Sequence, residues 1–130
     1  MFTHLLPNNL SKIRNAFSTK KKEVEIVLSN TNISIVRLLK AERLIWDFTI
    51  FRAGNFFWIR LKLKYHNGTP TIQNILQTSK SGRRIYKTTN QLRLYSRRGG
   101  LILVMTNRGL LSHKTASKLG VGGEVLCYIS

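Results

Sequence analysis

The C-terminal segment LILVMTNRGLLSHKTASKLGVGGEVLCYIS, residues 101–130, contains the strongest structural signals of the chain. Its apolar run, Leu101–Met105, is short enough for a buried strand, and the polar residues Thr106–Gly109 predict a turn after it. Ser112 is placed to cap a short helix that ends at Gly120, where a left-handed residue commonly follows the last helical turn. The pattern therefore predicts a strand, a polar loop and a short helix in succession.

A glycine pair opens the last predicted strand. Gly122, Gly123 and Glu124 lead into the apolar segment Val125–Ile129, which predicts a second buried strand. Together with the preceding loop and helix, this layout gathers backbone N–H groups, small polar side chains and positive charge in one place. Such a surface suits a sugar-phosphate backbone better than a small metabolite.

Upstream, the pattern predicts an α/β chain of the α+β type with two small lobes, divided at the turn residues His66–Pro70. The first lobe, residues 1–66, is predicted to be α-β-α-β-β, and the second, residues 67–130, mostly β with short helices. The elements predicted for the first lobe are a helix capped by Asn8 or Asn9, a strand at Val24–Leu28, a helix capped by Ser29 or Asn30 and ending near Glu42, and strands at Leu44–Phe51 and Phe57–Tyr65. The second helix is expected to bury Ile35, Val36 and Leu39. Side chains of the two long strands are expected to alternate between faces, with one face formed in the first by Leu44, Trp46, Phe48 and Ile50 and in the second by Phe57, Ile59, Leu61, Leu63 and Tyr65. The second lobe adds strands at Thr71–Leu76 and Arg83–Lys87 and a brief helix capped by Thr88 or Thr89.

Positive charge dominates the composition. The chain carries 22 Lys and Arg against 5 Asp and Glu, a formal net charge of +17 in 130 residues. Self-repulsion at this charge density favours a polyanionic partner. After Asp47 the only acid is Glu124, so the second lobe is almost purely cationic, with Lys80, Arg97 and Arg98 among its charges. A basic soluble protein without such a partner is the alternative.

The residue types that carry catalysis are scattered. His4, His66 and His113 have no Cys, Asp or Glu around them at metal-ligand spacing, and the single Cys127 cannot build a zinc site or an internal disulfide. Cys127 also lies in an apolar strand, where a packed thiol is the usual state. The long acid-free stretch lacks the carboxylates of a metal-dependent nuclease. We therefore expect no enzyme, no metal, no cofactor and no small-molecule substrate.

The polar loop after the first C-terminal strand is a candidate for RNA contact. Its short hydroxyl and amide groups can bond 2′-hydroxyls and base edges in the shallow minor groove of an RNA helix, and its glycine allows close approach. The candidate residues of this loop are Thr106, Asn107, Arg108 and Gly109. Ser112 with Lys114 is a candidate phosphate site at the helix start. The alternative is an ordinary connection from strand to helix with a capping serine.

Two neighbouring segments are further candidates. The turn Gly122–Glu124 is predicted to add selectivity by shape, and Glu124 to accept hydrogen bonds from the polar loop or from a base amino group. The alternative role of Glu124 is that of a surface partner for Arg or Lys. Tyr86, between Arg84 and Lys87, offers a ring for base stacking flanked by charge, and plain packing in a strand is its alternative.

These patterns resemble the family of the bacterial-type ribosomal protein eight of the small subunit, from about Asn8 to Ser130. The C-terminal signature of that family is matched at Thr106, Gly109, Ala116, Gly120, Gly122, Gly123, Glu124 and Tyr128. Two shorter motifs also resemble the family, Ser11–Asn15 near the start and Gly82–Lys87 in the middle. The chain departs from the family at Met105 and Asn107, where its loop serines stand, and at Arg108, where its lysine stands.

The resemblance implies a structural protein that binds and stabilises small-subunit rRNA and contacts neighbouring small-subunit ribosomal proteins, with no membrane partner and no homo-oligomer. It also implies rRNA contact by Lys12, Arg14 and Asn15 on the exposed face of the first helix, for which a solvated helix face is the alternative. A free-standing RNA-binding regulator of translation is the alternative function.

The compartment is inferred from weaker signals. No apolar run reaches the roughly 20 residues that span a bilayer, and the early Pro7 argues against a secretory signal. The excess of Lys, the family-like sequence from about Asn8 and the departures at Met105 and Asn107 favour an organelle-encoded protein of the mitochondrial ribosome. A plastid and a bacterial cytoplasm are the alternatives.

Overall fold

The computed structural model describes residues 2–79, 82–95 and 99–130, with side chains described from residue 9 onward. Within these ranges the chain is an α+β protein that divides into two units, Met1–Gln73 and Asn74–Ser130. The predicted division after His66 falls inside a hairpin that belongs to the first unit. The predicted cations Lys80, Arg97 and Arg98 lie outside the described residues.

The first unit contains the predicted α-β-α-β-β order, which is confirmed. Its elements are α1 (Phe2–Ser18), β1 (Glu23–Val27), α2 (Asn30–Ala41), β2 (Ile45–Ala53), β3 (Phe56–Leu63), β4 (Tyr65–His66) and β5 (Thr69–Pro70). The three long strands form an antiparallel sheet in the order β1-β3-β2, with α1 packed along β1 and α2 along β2. The β4–β5 hairpin turns at Asn67 and Gly68, whose φ angles of 51° and 78° give the turn its mirror-image geometry.

The start of α1 differs from the prediction. The helix begins at Phe2, so neither Asn8 nor Asn9 caps it. Asn9 is instead buried, and its Nδ2 donates to Oδ1 of Asn32 at 3.1 Å, while Nδ2 of Asn32 donates to the carbonyl of Val27 at 2.7 Å. A buried amide pair thus joins α1, α2 and the end of β1. Local capping preference is overridden here because the buried amides find partners in distant elements.

The second helix follows the prediction more closely. Ser29 is its N-cap and accepts from the backbone N–H of Asn32, and Ile35, Val36 and Leu39 are buried as expected. The predicted alternation of β3 is confirmed at Ile59, Leu61 and Leu63, which are buried, and is wrong at Phe57, which is 51% exposed.

The predicted alternation of β2 is wrong. A register shift between Ile45 and Asp47 breaks the period of two, and Trp46 and Ile50 remain 62% and 49% exposed. A bulge of this kind depends on how the strand pairs with its neighbour, which periodicity in one strand does not encode.

The second unit is built around its last strand. Its elements are β6 (Ile75–Gln77), β7 (Tyr86–Lys87), α3 (Thr89–Tyr95), β8 (Leu101–Thr106), β9 (Gly109–Ser112), α4 (His113–Leu119) and β10 (Gly123–Ile129). β10 pairs with β8 along one edge and with both β6 and β7 along the other, all antiparallel. β9 extends the sheet as a hairpin partner of β8.

Several boundaries in this unit differ from the predictions. The strand expected at Thr71–Leu76 is confined to Ile75–Gln77, and the one expected at Arg83–Lys87 to Tyr86–Lys87. β9 was not predicted, because its four residues follow a turn signal directly and resemble a loop in sequence. The short helix is confirmed, with Ser112 as N-cap and Gly120 left-handed at φ 72° as C-cap.

A small apolar core fixes α3 and α4 on one face of this sheet. Leu92 of α3 and Ala116 of α4 pack against the sheet residues Ile102, Val104 and Val125, all buried. A capping box closes the start of α3, since Thr88 N–H donates to Gln91 Oε1 and Gln91 N–H donates to Thr88 Oγ1. The predicted cap of α3 is therefore Thr88.

Candidate nucleic-acid interface

The polar loop is the two-residue tip of the β8–β9 hairpin. Thr106 pairs with Gly109 in the strand register, so Asn107 and Arg108 form the turn and are exposed. The Thr106 hydroxyl donates to the carbonyl of Gly109 at 2.9 Å and accepts from the N–H of Arg108 at 3.1 Å. Gly109 has φ 102°, which strains any other residue. Thr106 and Gly109 therefore set the shape of a tip that presents Asn107 and Arg108.

The glycine pair at the start of β10 permits close backbone packing on both sides. A Cβ on Gly123 would lie 2.1 Å from the carbonyl oxygen of Met105, and a Cβ on Gly122 would lie 2.5 Å from that of Lys87. Both distances are far below van der Waals contact. The glycines are thus required for β10 to fit between the end of β8 and the segment after β7.

Glu124 pairs with Arg84 and not with the loop. Its Oε2 accepts from Nη1 of Arg84 at 3.2 Å, with side-chain exposures of 13% for Glu124 and 34% for Arg84. The expectation that Glu124 holds the polar loop is wrong, because the loop is held by its own threonine. The alternative, an arginine partner, is confirmed, and contact with a base amino group stays a prediction.

The strand register brings the predicted segments to one end of the sheet. Glu124 lies opposite Tyr86 of β7 on one side and opposite Met105 of β8 on the other, so these three residues share a face. Lys87 lies opposite Gly123. Tyr86 is 66% exposed, which excludes plain strand packing as its role in the free protein. The hairpin tip, the glycine turn and the Tyr86 segment are therefore neighbours.

A buried serine that the sequence patterns did not reveal supports this end of the sheet. Ser79 is 1% exposed; its hydroxyl accepts from the N–H of Ile85 at 3.0 Å and donates to the carbonyl of Val125 at 2.6 Å. The N–H of Val125 in turn donates to the carbonyl of Ile85 at 2.9 Å. Ser79 thus ties the Arg84–Lys87 segment to β10. Nothing in the local sequence distinguishes this serine from an ordinary loop residue.

The two residues of the predicted phosphate site at the start of α4 differ in their exposure. Ser112 is 1% exposed, and its hydroxyl is occupied within the fold, where it accepts from the N–H of Thr115 and donates to Thr115 Oγ1. Lys114 is exposed. Ser112 therefore acts as the cap, and only Lys114 presents its side chain to a partner.

In the first unit the candidates Lys12, Arg14 and Asn15 all lie on the exposed side of α1. The ammonium of Lys12 lies 5.7 Å from the ring centroid of Trp58, a cation–π distance. Lys12 and Asn15 also line a groove of about 650 Å³ between α1 and β1, whose other cations are Lys21 and Arg60. Glu23 and Glu25 line the same groove, and Glu25 pairs with Arg60 at 2.9 Å, so the groove is of mixed charge and lies entirely within the first unit.

The described residues offer no catalytic arrangement. They contain no group of three His, Cys, Asp or Glu side chains that could hold a metal ion. Cys127 is buried, and burial raises the pKa of its thiol to about 12, which removes the thiolate needed for nucleophilic chemistry. His113 is also buried, and its Nδ1 accepts from the N–H of Ile102 at 3.1 Å. Among these residues, no helix combines the length and the apolar character needed to cross a bilayer.

Comparison with known proteins gives a consistent result. The family model described as ribosomal protein S8 matches residues 5–130. The chain is 38% identical over 128 residues to the small ribosomal subunit protein uS8 of Halothermothrix orenii, covering 98% of this chain and 97% of that protein. The uS8 protein of Nitrosococcus oceani is 35% identical over 128 residues, covering 98% of both chains. That of Shewanella amazonensis is 34% identical over 121 residues, covering 93% of this chain and 92% of that protein.

Proposed function

The chain belongs to the ribosomal protein S8 family, and from that premise we propose that the β8–β9 tip, the start of β10 and the Tyr86 segment form one rRNA-binding surface. The protein is a structural, non-enzymatic component of the small ribosomal subunit that binds small-subunit rRNA and other small-subunit proteins. What the proposal adds is the assignment of this binding to particular residues.

The observation that carries the proposal is the position of β10. Its first residues lie between Tyr86 and Lys87 on one side and Met105 on the other, while its glycines allow both neighbours to approach closely. Three segments that are far apart in sequence therefore present small polar, aromatic and cationic groups together. The combination of a narrow polar tip and an exposed ring fits the shallow minor groove of an RNA helix beside an unstacked base.

The two residues of the tip have different roles. Asn107 can donate to and accept from base edges and 2′-hydroxyls, so it supplies selectivity. Arg108 bonds phosphate and supplies affinity that falls with salt. Glu124 holds Arg84 beside Tyr86, which fixes the direction of one cation next to the stacking ring. Lys12, Arg14 and Asn15 on α1 provide a separate contact with rRNA through the first unit.

Directed cleavage of rRNA tests this assignment. Because Cys127 is buried, an iron chelate can be tethered at one engineered position, Asn107→Cys, without labelling the native thiol. We expect cleavage of small-subunit rRNA on both strands of one helical segment. The matched control is Asn55→Cys at the exposed tip of the β2–β3 hairpin, which lies in the other unit. Cleavage from position 107 that does not exceed free chelate refutes the proposed surface.

We also propose that the ribosome concerned is mitochondrial. The support is the high excess of cations and the replacement of two hydroxyl residues of the family by Met105 and Asn107. The three uS8 relatives are bacterial proteins, and a bacterial or plastid ribosome is the competing assignment. Immunodetection of the protein in ribosomes from purified mitochondria supports the proposal, and its restriction to another ribosome population refutes it.

A further inference from the structure

A cleft between α3 and α4 is lined by cations that neither the polar loop nor β10 uses. The cleft has a volume of about 440 Å³ and is lined by Arg93 of α3 and by Lys114, Ser117 and Lys118 of α4. All three cationic residues are exposed. The only acid in the second unit is Glu124, whose carboxylate is engaged by Arg84.

Helix electrostatics do not account for this arrangement. Arg93 and Lys118 stand in the last turns of their helices, where a cation is favourable. Lys114, however, stands in the first turn of α4, next to the positive end of the helix dipole. Lys114 and Lys118 are also four residues apart on one helix face, a like-charge spacing that destabilises a helix. Lys114 therefore costs stability in the free protein, and an anion in the cleft would reverse that cost.

The cleft is connected directly to the proposed rRNA contact. β9 runs from the hairpin tip to the cap of α4, and its four residues span about 13 Å at the usual rise of a strand. A duplex that receives the tip in its shallow minor groove has a phosphate backbone on each side of that groove.

We infer that the Arg93–Lys114–Lys118 cleft binds the phosphodiester backbone of the same RNA helix that the Asn107–Arg108 tip enters. The inference rests on the proposed function and adds two residues, Arg93 and Lys118, to the RNA-binding surface. The site recognises phosphate and not base identity, because its lining groups are cationic side chains with one hydroxyl. The cleft fixes the orientation of the bound RNA helix, while the Asn107–Arg108 tip selects which RNA helix is bound.

The test uses the full-length chain with Lys114→Gln and Lys118→Gln together, and transcribed small-subunit rRNA as the probe. We expect the slope of log affinity against log salt concentration to flatten by roughly 1.5, about 0.7 to 0.9 for each phosphate that is no longer neutralised. The matched control, Arg37→Gln with Arg43→Gln, removes the same charge from exposed positions of the first unit and leaves the slope unchanged. Equal flattening in both pairs overturns the inference, because net charge alone then explains it.

Thermal unfolding of the free protein provides a second readout. If Lys114 serves an anion, Lys114→Gln alone should raise the Tm by about 1–3 °C, since it relieves the like-charge pair and the unfavourable dipole interaction while Lys118 keeps its favourable position in the last turn. A fall in Tm for Lys114→Gln shows that Lys114 stabilises the fold and overturns the inference. If the lysine double variant leaves the salt slope unchanged while Asn107→Ala still loses selectivity, the cleft does not bind RNA, and the proposed role of the tip stands. Equal affinity of the unsubstituted chain for rRNA and random duplex refutes the proposed function itself.

Discussion

Replacing Gly123 by alanine should disrupt the end of the sheet where the RNA-binding segments meet. The added Cβ would lie 2.1 Å from the carbonyl oxygen of Met105 and 2.9 Å from its carbonyl carbon. Both are backbone atoms of a paired strand, so no side-chain rotation relieves the overlap. The two atoms must separate by about 1.3 Å to reach ordinary contact at 3.4 Å.

This separation lowers the free energy of unfolding in two ways. Overpacking of this kind costs about 1–3 kcal/mol, and it also breaks one or two hydrogen bonds of the β8–β10 ladder, at about 1 kcal/mol each. We expect the free energy of unfolding to fall by about 2–5 kcal/mol. For a chain of 130 residues this corresponds to a decrease in Tm of roughly 8–20 °C.

The assay is thermal and urea unfolding followed by far-UV circular dichroism, because both tryptophans, Trp46 and Trp58, lie in the first unit and report on it. The matched control is Gly82→Ala, where an added Cβ meets nothing within 4 Å and φ is not positive. That variant should stay within about 0.5 kcal/mol of the unsubstituted chain. If Gly123→Ala unfolds at the same temperature as Gly82→Ala, the close approach of β8 and β10 is not a constraint, and Gly123 does not set the geometry of the site.

Three further predictions concern single side chains. Asn107→Ala should weaken binding to small-subunit rRNA by about 1–3 kcal/mol in titration calorimetry and leave binding to a random duplex nearly intact. The control Asn55→Ala, at the tip of the β2–β3 hairpin, should change neither affinity. Equal losses of affinity for both RNAs would exclude a selective role for Asn107. Ser79→Ala removes a hydroxyl that serves two backbone groups, so the urea midpoint should fall by an amount equivalent to about 1–3 kcal/mol, and an unchanged midpoint would show that Ser79 supports nothing. Cys127, whose pKa is raised to about 12 by burial, stays a neutral thiol at mildly alkaline pH, so a thiol reagent should label it only as fast as the protein unfolds; rapid labelling of the native chain would contradict its burial.

Local signals were sufficient for the elements whose ends are set by one residue and its near neighbours. Ser112 and Gly120 bound α4 because a hydroxyl cap and a left-handed glycine act within one helical turn. Ser29 starts α2 for the same reason. The buried face of β3 also followed from alternation, since hydrophobic burial has the same period as the strand.

Features that depend on distant partners were missed. The first helix starts at Phe2 and not at Asn8 or Asn9, and Asn9 serves a buried amide pair with Asn32. The shortened β7 and the bulge in β2 depend on strand pairing in the same way.

The sequence alone determined that this is a cationic, non-catalytic α+β chain of a ribosomal family, because charge, composition and short-range motifs are properties of the chain itself. It also marked the tip residues and the glycine turn as candidates. Four features became visible only in the folded chain: Thr106 holds its own loop, Glu124 engages Arg84, Ser112 is inaccessible, and Arg93 lies in one cleft with Lys118. The physical reason is that each of these depends on which backbone segments approach one another, and that is fixed by the pairing of β10 with its neighbours and the packing of α3 on α4.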